Sequence, residues 1–277
     1  MEQLDPTDAA KIKTSATYNN AAEHFDDPPL AFWDVVGRAT IERLDLKPGA
    51  IILDVGCGTG ASALPAAESV GPNGKVIGVD LAERLLEKGG AKAKAKERGL
   101  HNIEFRTGDM TNLGFPDSFF DGVVSVFSIF FVPDMEAQVR ELWRMVKVGG
   151  KLAITTWGAR FFEPVYTIWR QAVRVERPDL YSAFNPWDRI ESPEQLRQLM
   201  QSADVPGVEI TSVSGSQDLR SPEDWWTIVL GSGLRGTVDA MDKATATRIR
   251  DKTVNWVRDN GIKAIETNVL FATTIKV

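Results

Sequence analysis

Three observations predict a doubly wound α/β fold. Apolar runs ending in an acid or a glycine recur along residues 50–157, helical periodicity fills the gaps between them, and the loops are short. Strands that are apolar on both faces and separated by helices form a parallel sheet covered on both sides. Right-handed crossovers then wind the sheet in both directions.

The elements follow in order. Residues 8–45 look helical and precede the first strand, "AIILDVG", whose apolar run ends in an acid. A helix over 59–70 leads to "KVIGVD" (75–80), the second strand. The helix expected over 82–99 carries Gly89 and Gly90, which cost about 2 kcal/mol relative to alanines. Its "KAKAKER" (92–98) reads as a solvated face. "IEFRTGD" (103–109) and "FDGVVSVFSIFF" (120–131) are the third and fourth strands. A helix over 134–147 shows Val139, Leu142, Trp143 and Val146 at helical spacing, with Gly149 and Gly150 as its stop. "KLAITTW" (151–157) is the fifth strand. Residues 158–190 then hold Phe161, Phe162, Tyr166, Trp169, Tyr181, Phe184 and Trp187, with Pro164, Pro178 and Pro186 breaking regularity. A helix over 193–203, a strand near 207–214 and helical residues 221–260 follow. "NVLFATTIKV" (268–277) alternates and is rich in β-branched residues, so it reads as a last strand.

Composition removes several classes of function. The net charge of −6 disfavours a nucleic-acid partner. One cysteine, Cys57, excludes an internal disulfide, and with two histidines it argues against a His/Cys metal site, so no metal is expected. The N-terminus lacks the apolar core of a signal peptide, and no run reaches the ~18 residues of a membrane span. A cytoplasmic protein with no integral membrane segment is expected.

"LDVGCGTGAS" (53–62) is the segment with chemistry in it. Gly56, Gly58 and Gly60 permit a tight turn and a close backbone approach at the carboxyl end of the first strand, where ligands of open α/β sheets bind. The helix that follows turns its free N–H groups toward a negative ligand group. "GCGTGA" also satisfies the dinucleotide pattern G-x-G-x-x-A, so a nicotinamide cofactor is an alternative. Asp54, however, stands where dinucleotide folds carry an apolar residue, and it attracts an ammonium or a sulfonium rather than a pyrophosphate. Asp80 can accept ribose hydroxyls, and Asp109 with Met110 can hold an adenine. A cationic end, a ribose and an adenine are together the groups of S-adenosylmethionine.

"LDVGCGTG", "VIGVDL", "GDMTNLGFPDSFFDGVVS" and "ELWRMVKVGGKLAI" come in the order and spacing of one family. The chain resembles the class I S-adenosylmethionine-dependent methyltransferases, in the group of the ubiquinone/menaquinone C-methyltransferases and many natural-product methyltransferases. The resemblance covers residues 15–160 well and the rest loosely. It implies a mostly parallel seven-stranded sheet of order 3-2-1-4-5-7-6, with the last strand antiparallel and with helical cap elements. It implies an N-terminal helical lid over residues 1–48 and a cofactor-binding domain over 49–277, with acceptor-pocket insertions at 158–190 and 221–260.

Residue by residue, the resemblance places Gly56, Gly58 and Gly60 under the methionine moiety, counts Thr59 among the cofactor-binding residues and puts Asp54 beside the amino group. It gives Asp80 the ribose hydroxyls and packs Leu81 on the adenine, which Asp109 and Met110 hold. Val126 and Phe127 line the pocket after the fourth strand, and Tyr18 closes over the cofactor. Where relatives often write "HHV" this chain has "FFV" (130–132), so His24 becomes the candidate base, and Tyr18 of the same segment is the second candidate catalytic residue. The expected reaction is methyl transfer to a C, O or N atom of an apolar or aromatic small molecule, driven mainly by proximity and alignment in a site that excludes water. The alternatives are a non-catalytic S-adenosylmethionine-binding module and an NAD-dependent oxidoreductase.

Overall fold

The computed structural model describes residues 6–87, 90–182 and 184–277. The chain divides into two compact units. One comprises Trp33–Gly158, Pro186–Val213 and Val269–Val277; the other comprises the residues up to Phe32, Ala159–Asn185 and Ser214–Asn268.

The first unit contains the seven-stranded sheet. Its strands are β1 (Ile51–Val55), β2 (Lys75–Asp80), β3 (Ile103–Thr107), β4 (Phe120–Val126), β5 (Val146–Trp157) and β6 (Glu209–Val213). The second unit holds the short β7 (Ser216–Asp218) and β8 (Ala264–Glu266), and β9 (Val269–Ile275) completes the large sheet. The order is β3-β2-β1-β4-β5-β9-β6. The first five strands run parallel, and β9 is antiparallel to both β5 and β6. In sheet-strand order this is 3-2-1-4-5-7-6, the expected topology.

The central strand explains the stability of the frame. Ile52, Leu53, Asp54 and Val55 of β1 are all fully buried. Ala63, Ala66, Ala67 and Val70 on the helix Ala63–Val70 pack with Ile41, Leu44, Ile52, Val76 and Val124 in one core layer. The helix Met135–Met145 buries Val139, Leu142 and Met145. Each such aliphatic side chain contributes roughly 1.5–3 kcal/mol.

Several boundaries differ from the expected ones. The fourth strand ends at Val126, not at residue 131, because Phe127 adopts φ +52° and Ile129–Phe131 form a 3-10 turn. The fifth strand starts at Val146, directly after the helix, where Val146 pairs with Phe120. The β-branched Val146 and Val148 prefer the extended form and leave the helix before Gly149 does. The helix expected over 82–99 is two pieces, Glu83–Leu86 and Ala91–Glu97. A Cβ on Gly90 would lie 1.8 Å from the Leu85 carbonyl oxygen, so the glycine permits the break. Gly89 lies outside the described residues.

The second unit is mainly helical, with Pro6–Ala21, Val165–Glu176, Asp224–Leu230, Arg235–Asp239 and Lys243–Asp259. The 221–260 stretch is therefore three helices. The first N-terminal helix stops at Ala21, so His24 and Phe25 lie in turns beyond it. Pro28 and Pro29 lack the N–H groups a continuous helix would need. Inside this unit Phe162 is fully buried, with Phe32 and Trp225 edge-on to its ring.

Candidate cofactor site

The glycine turn is built on the end of β2. The N–H groups of Gly56 and Cys57 donate to the Val79 carbonyl at 2.8 and 3.2 Å. Gly56, Gly58 and Gly60 take φ of +71°, +53° and +90°. That left-handed region is open to glycine at no steric cost. Cys57 is buried, and its sulfur lies 2.9 Å from where a Cβ on Gly78 would stand. Burial, then the charges of Asp54 and Asp80, push its thiol pKa well up. It packs the turn and is no nucleophile.

Asp54 is the most informative residue. It is fully buried at the carboxyl end of the central strand. Ser62 Oγ donates to its Oδ2 at 2.6 Å, while its Oδ1 is buried without a partner. Burial raises its pKa to about 7, with the Asp80 charge adding and the Ser62 hydrogen bond opposing. A buried acceptor without a donor is costly. A ligand ammonium supplies both the donor and the charge that this carboxyl lacks.

Asp80 holds the turn. Its Oδ2 accepts from Gly58 N–H and its Oδ1 from Ala82 N–H, each at 2.8 Å. Burial raises its pKa, and these backbone N–H groups oppose the rise. Each carboxylate oxygen keeps a second lone pair, as a vicinal diol requires. Leu81 beside it is half-buried. Asp109, also half-buried, accepts from the Thr111 N–H and hydroxyl at 2.8 Å each, through Oδ1. Met110 is fixed by Gln138, whose side-chain amide donates to its carbonyl at 2.8 Å. Its terminal methyl lies 3.6 Å from the Cβ position of Gly56, against the turn.

The loop after β4 closes this side. Ser128 Oγ donates to the Val55 carbonyl at 2.7 Å and lies 2.7 Å from Ser125 Oγ. Val126 is half-buried. Phe127 stacks on Trp157 with centroids 4.0 Å apart, and Trp33 lies edge-on to it at 5.4 Å. Arg189 ties the loop down by donating to the carbonyls of Phe130, Val132 and Pro133 at 3.2, 2.5 and 2.8 Å. Loss of solvent lowers its pKa, and Asp134 offsets part of that.

The expected residues therefore separate into two groups. Asp54, Gly56, Gly58, Thr59, Gly60, Asp80, Leu81, Asp109, Met110, Val126 and Phe127 all lie in the sheet unit, at the carboxyl ends of β1–β4 or in the segments that follow them. Tyr18 and His24 belong to the other unit. There the Tyr18 and Phe25 rings meet edge-on at 6.1 Å, and His24 Nδ1 lies 2.9 Å from Asp27 Oδ2. Ser62, Ser128 and Arg189 were not anticipated. Ser62 carried a signal, a serine just ahead of a helix. Ser128 and Arg189 carried none, because they act on backbone far away in sequence. Among the described residues, no cluster of three or more His, Cys, Asp or Glu could hold a metal ion. Among them, too, no helix is long and apolar enough to cross a membrane.

Residues 52–150 match a methyltransferase-domain family model. The aklanonic acid methyltransferase DauC of Streptomyces is 30% identical over 203 residues, 69% of this chain and 90% of that protein. The chain belongs to the class I S-adenosylmethionine-dependent methyltransferases. Its cofactor is S-adenosylmethionine, and the orphaned Asp54 oxygen and the strand-end acids fit that molecule. The nocamycin O-methyltransferase of Saccharothrix syringae is 36% identical over 138 residues, and a demethylmenaquinone methyltransferase of Listeria monocytogenes is 40% identical over 116. The chain spans about half the length of these two relatives, 49% and 48%. Among solved structures, the Bacillus subtilis YcgJ protein shares the fold with a TM-score of 0.58 at 20% identity, over 87% of this chain and 98% of that one. The [4+2]-cyclase SpnF shares it too, with a TM-score of 0.52 at 24% identity over 88% of this chain and 81% of that one.

Proposed function

We propose that this methyltransferase transfers the methyl group of S-adenosylmethionine to an apolar or aromatic small molecule. The buried, partnerless Asp54 oxygen at the head of the glycine turn carries the reading. It fits an amino-acid end with a cationic nitrogen and suits no pyrophosphate. The curated relatives act, by their names, on aklanonic acid, nocamycin and demethylmenaquinone. They support a small acceptor, and they differ among themselves, so the atom methylated follows from this chain's own pocket.

The cofactor supplies a methyl group on a good leaving group. The protein's part is then largely placement. Asp54 orients the amino end, Asp80 the ribose, and Asp109 with Met110 the adenine. Fixing these groups supplies up to about 7–11 kcal/mol of barrier reduction through alignment. The aromatic residues of 158–190 and 221–260 are proposed as acceptor walls, since small-molecule pockets are largely apolar and aromatic. Tyr18 and His24 are proposed to act at the acceptor, with Asp27 fixing the His24 ring through Nδ1.

The test is turnover of S-adenosylmethionine with an extract of the native host, followed by mass. The expected result is an acceptor heavier by one methylene, with S-adenosylhomocysteine formed in equal amount. A product formed without S-adenosylhomocysteine would instead indicate a different reaction on the same fold, as the SpnF likeness allows.

A further inference from the structure

The methionine end of the cofactor carries a carboxylate as well as two cationic groups. Asp54, Asp80 and Asp109 serve its cationic and neutral donors, and all three repel a carboxylate. Beyond the free N–H groups of the helix that follows the turn, a side-chain cation nearby would offset these three acids. The helix Ala91–Glu97 brings one. Its first residue, Ala91, packs against the turn, with its Cβ 3.5 Å from the Cβ position of Gly60.

Lys92 and Lys96 on this helix are exposed, and Lys92 pairs with Glu87 at 2.5 Å. Lys94 differs. It is half-buried, and its Nζ donates to Thr59 Oγ1 at 3.2 Å. Thr59 is 2% exposed and sits between Gly58 and Gly60. The lysine face that reads from sequence as solvated thus sends one ammonium into the glycine turn. The long apolar stem lets Lys94 lie along the helix while its charged head reaches the turn.

We propose that Lys94 is the counter-ion of the cofactor's carboxylate, receiving it above Thr59 while Asp54 takes the amino group. The inference rests on S-adenosylmethionine being the ligand. It assigns the two ends of the amino-acid moiety to opposite charges, so the site reads the zwitterion and not only the adenosine.

The experiment is calorimetry on the full chain with two probes, S-adenosylhomocysteine and 5′-methylthioadenosine, which lacks the amino-acid end. Lys94→Met is expected to weaken S-adenosylhomocysteine about tenfold or more, a charged hydrogen bond's worth. It should leave 5′-methylthioadenosine within about twofold, and Lys94→Arg should retain most of the affinity. Equal weakening of both probes, or no weakening of either, would overturn the inference. A second measurement uses the unaltered chain and so does not depend on how the variants fold. Lysine acylation mapped by mass spectrometry should show Lys94 protected by S-adenosylhomocysteine and not by 5′-methylthioadenosine; equal protection by both, or by neither, also overturns it. Failure of the unaltered chain to bind S-adenosylhomocysteine would overturn the cofactor assignment together with the inference. Binding without discrimination at Lys94 overturns the inference alone.

Discussion

Ser128 occupies the place where a side chain at Gly56 would begin: its Cβ lies 2.3 Å from the ideal Cβ position of Gly56. The loop after β4 and the glycine turn are therefore fitted to each other, and Ser128 Oγ fixes the fit by bonding the Val55 carbonyl. Gly56→Ala meets this contact and also a φ of +71°. We expect loss of S-adenosylhomocysteine binding by more than about tenfold, with the sheet intact. Calorimetry and circular dichroism check both halves.

Asp54 sets a pH dependence. Its pKa in the free protein is raised to about 7, and an ammonium at its bare oxygen lowers it again. Binding below that pH therefore releases a proton. Affinity for S-adenosylhomocysteine should rise as pH increases toward 7, by at most about tenfold per unit. Calorimetry in buffers of different ionisation enthalpy counts the proton. For the free protein the sign is opposite. The native state holds this proton above the ordinary carboxylate pKa of 3.8, so the Asp54 contribution to stability falls as pH rises from there through about 7. Asp54→Asn should remove both slopes.

Asp80→Asn tests the second role of Asp80. Both carboxylate oxygens accept backbone N–H groups, so an amide must turn its NH₂ toward one of them. Affinity should fall by about tenfold or more. Amide exchange at Gly58 or Ala82 should accelerate. A variant that bound weakly with unchanged exchange at both amides would limit Asp80 to the ribose.

Arg189→Met leaves three carbonyls of the 130–133 loop without their donor. Exchange across 127–134 should accelerate, and S-adenosylhomocysteine should bind several-fold more weakly. Arg189→Lys should recover part of the loss, because an ammonium reaches fewer of the three oxygens. Unchanged exchange in Arg189→Met would mean that the loop holds its shape without the guanidinium.

His24→Gln should lower turnover by about a hundredfold or more if the acceptor must lose a proton, and should leave cofactor affinity unchanged. Asp27→Asn should lower it less, since Asp27 acts through the ring. Equal turnover in the wild type and His24→Gln would remove both residues from the chemistry.

The sheet and the glycine turn were legible in the sequence because each rests on a short-range pattern. β1 and β2 are apolar runs and β3 alternates, with Asp54, Asp80 and Asp109 at or just past their ends, and the glycines fall where positive φ is needed. The illegible parts rest on contacts distant in sequence. Phe127 leaves the strand because Ser128 bonds β1, across 73 residues. The β7–β8 ladder joins "SQD" to "AIE", neither of which has the alternation of a strand. Lys94 has the same composition around it as its solvated neighbours, and what sets it apart is a contact with Thr59, 35 residues away.

The placement of β9 between β5 and β6 has a bearing on how the protein is made. During translation β5 leaves the ribosome with one edge paired to β4 and the other bare. The strand that covers that edge, Val269–Ile275, emerges only about 110 residues after Trp157. At ordinary elongation rates the delay is on the order of ten seconds. For that interval the nascent chain carries an open, apolar strand edge of the kind that recruits other chains, and β6 has no partner to join. Crowded expression should thus favour aggregation before Val269–Ile275 has emerged, and slow, chaperone-assisted synthesis should raise the soluble yield.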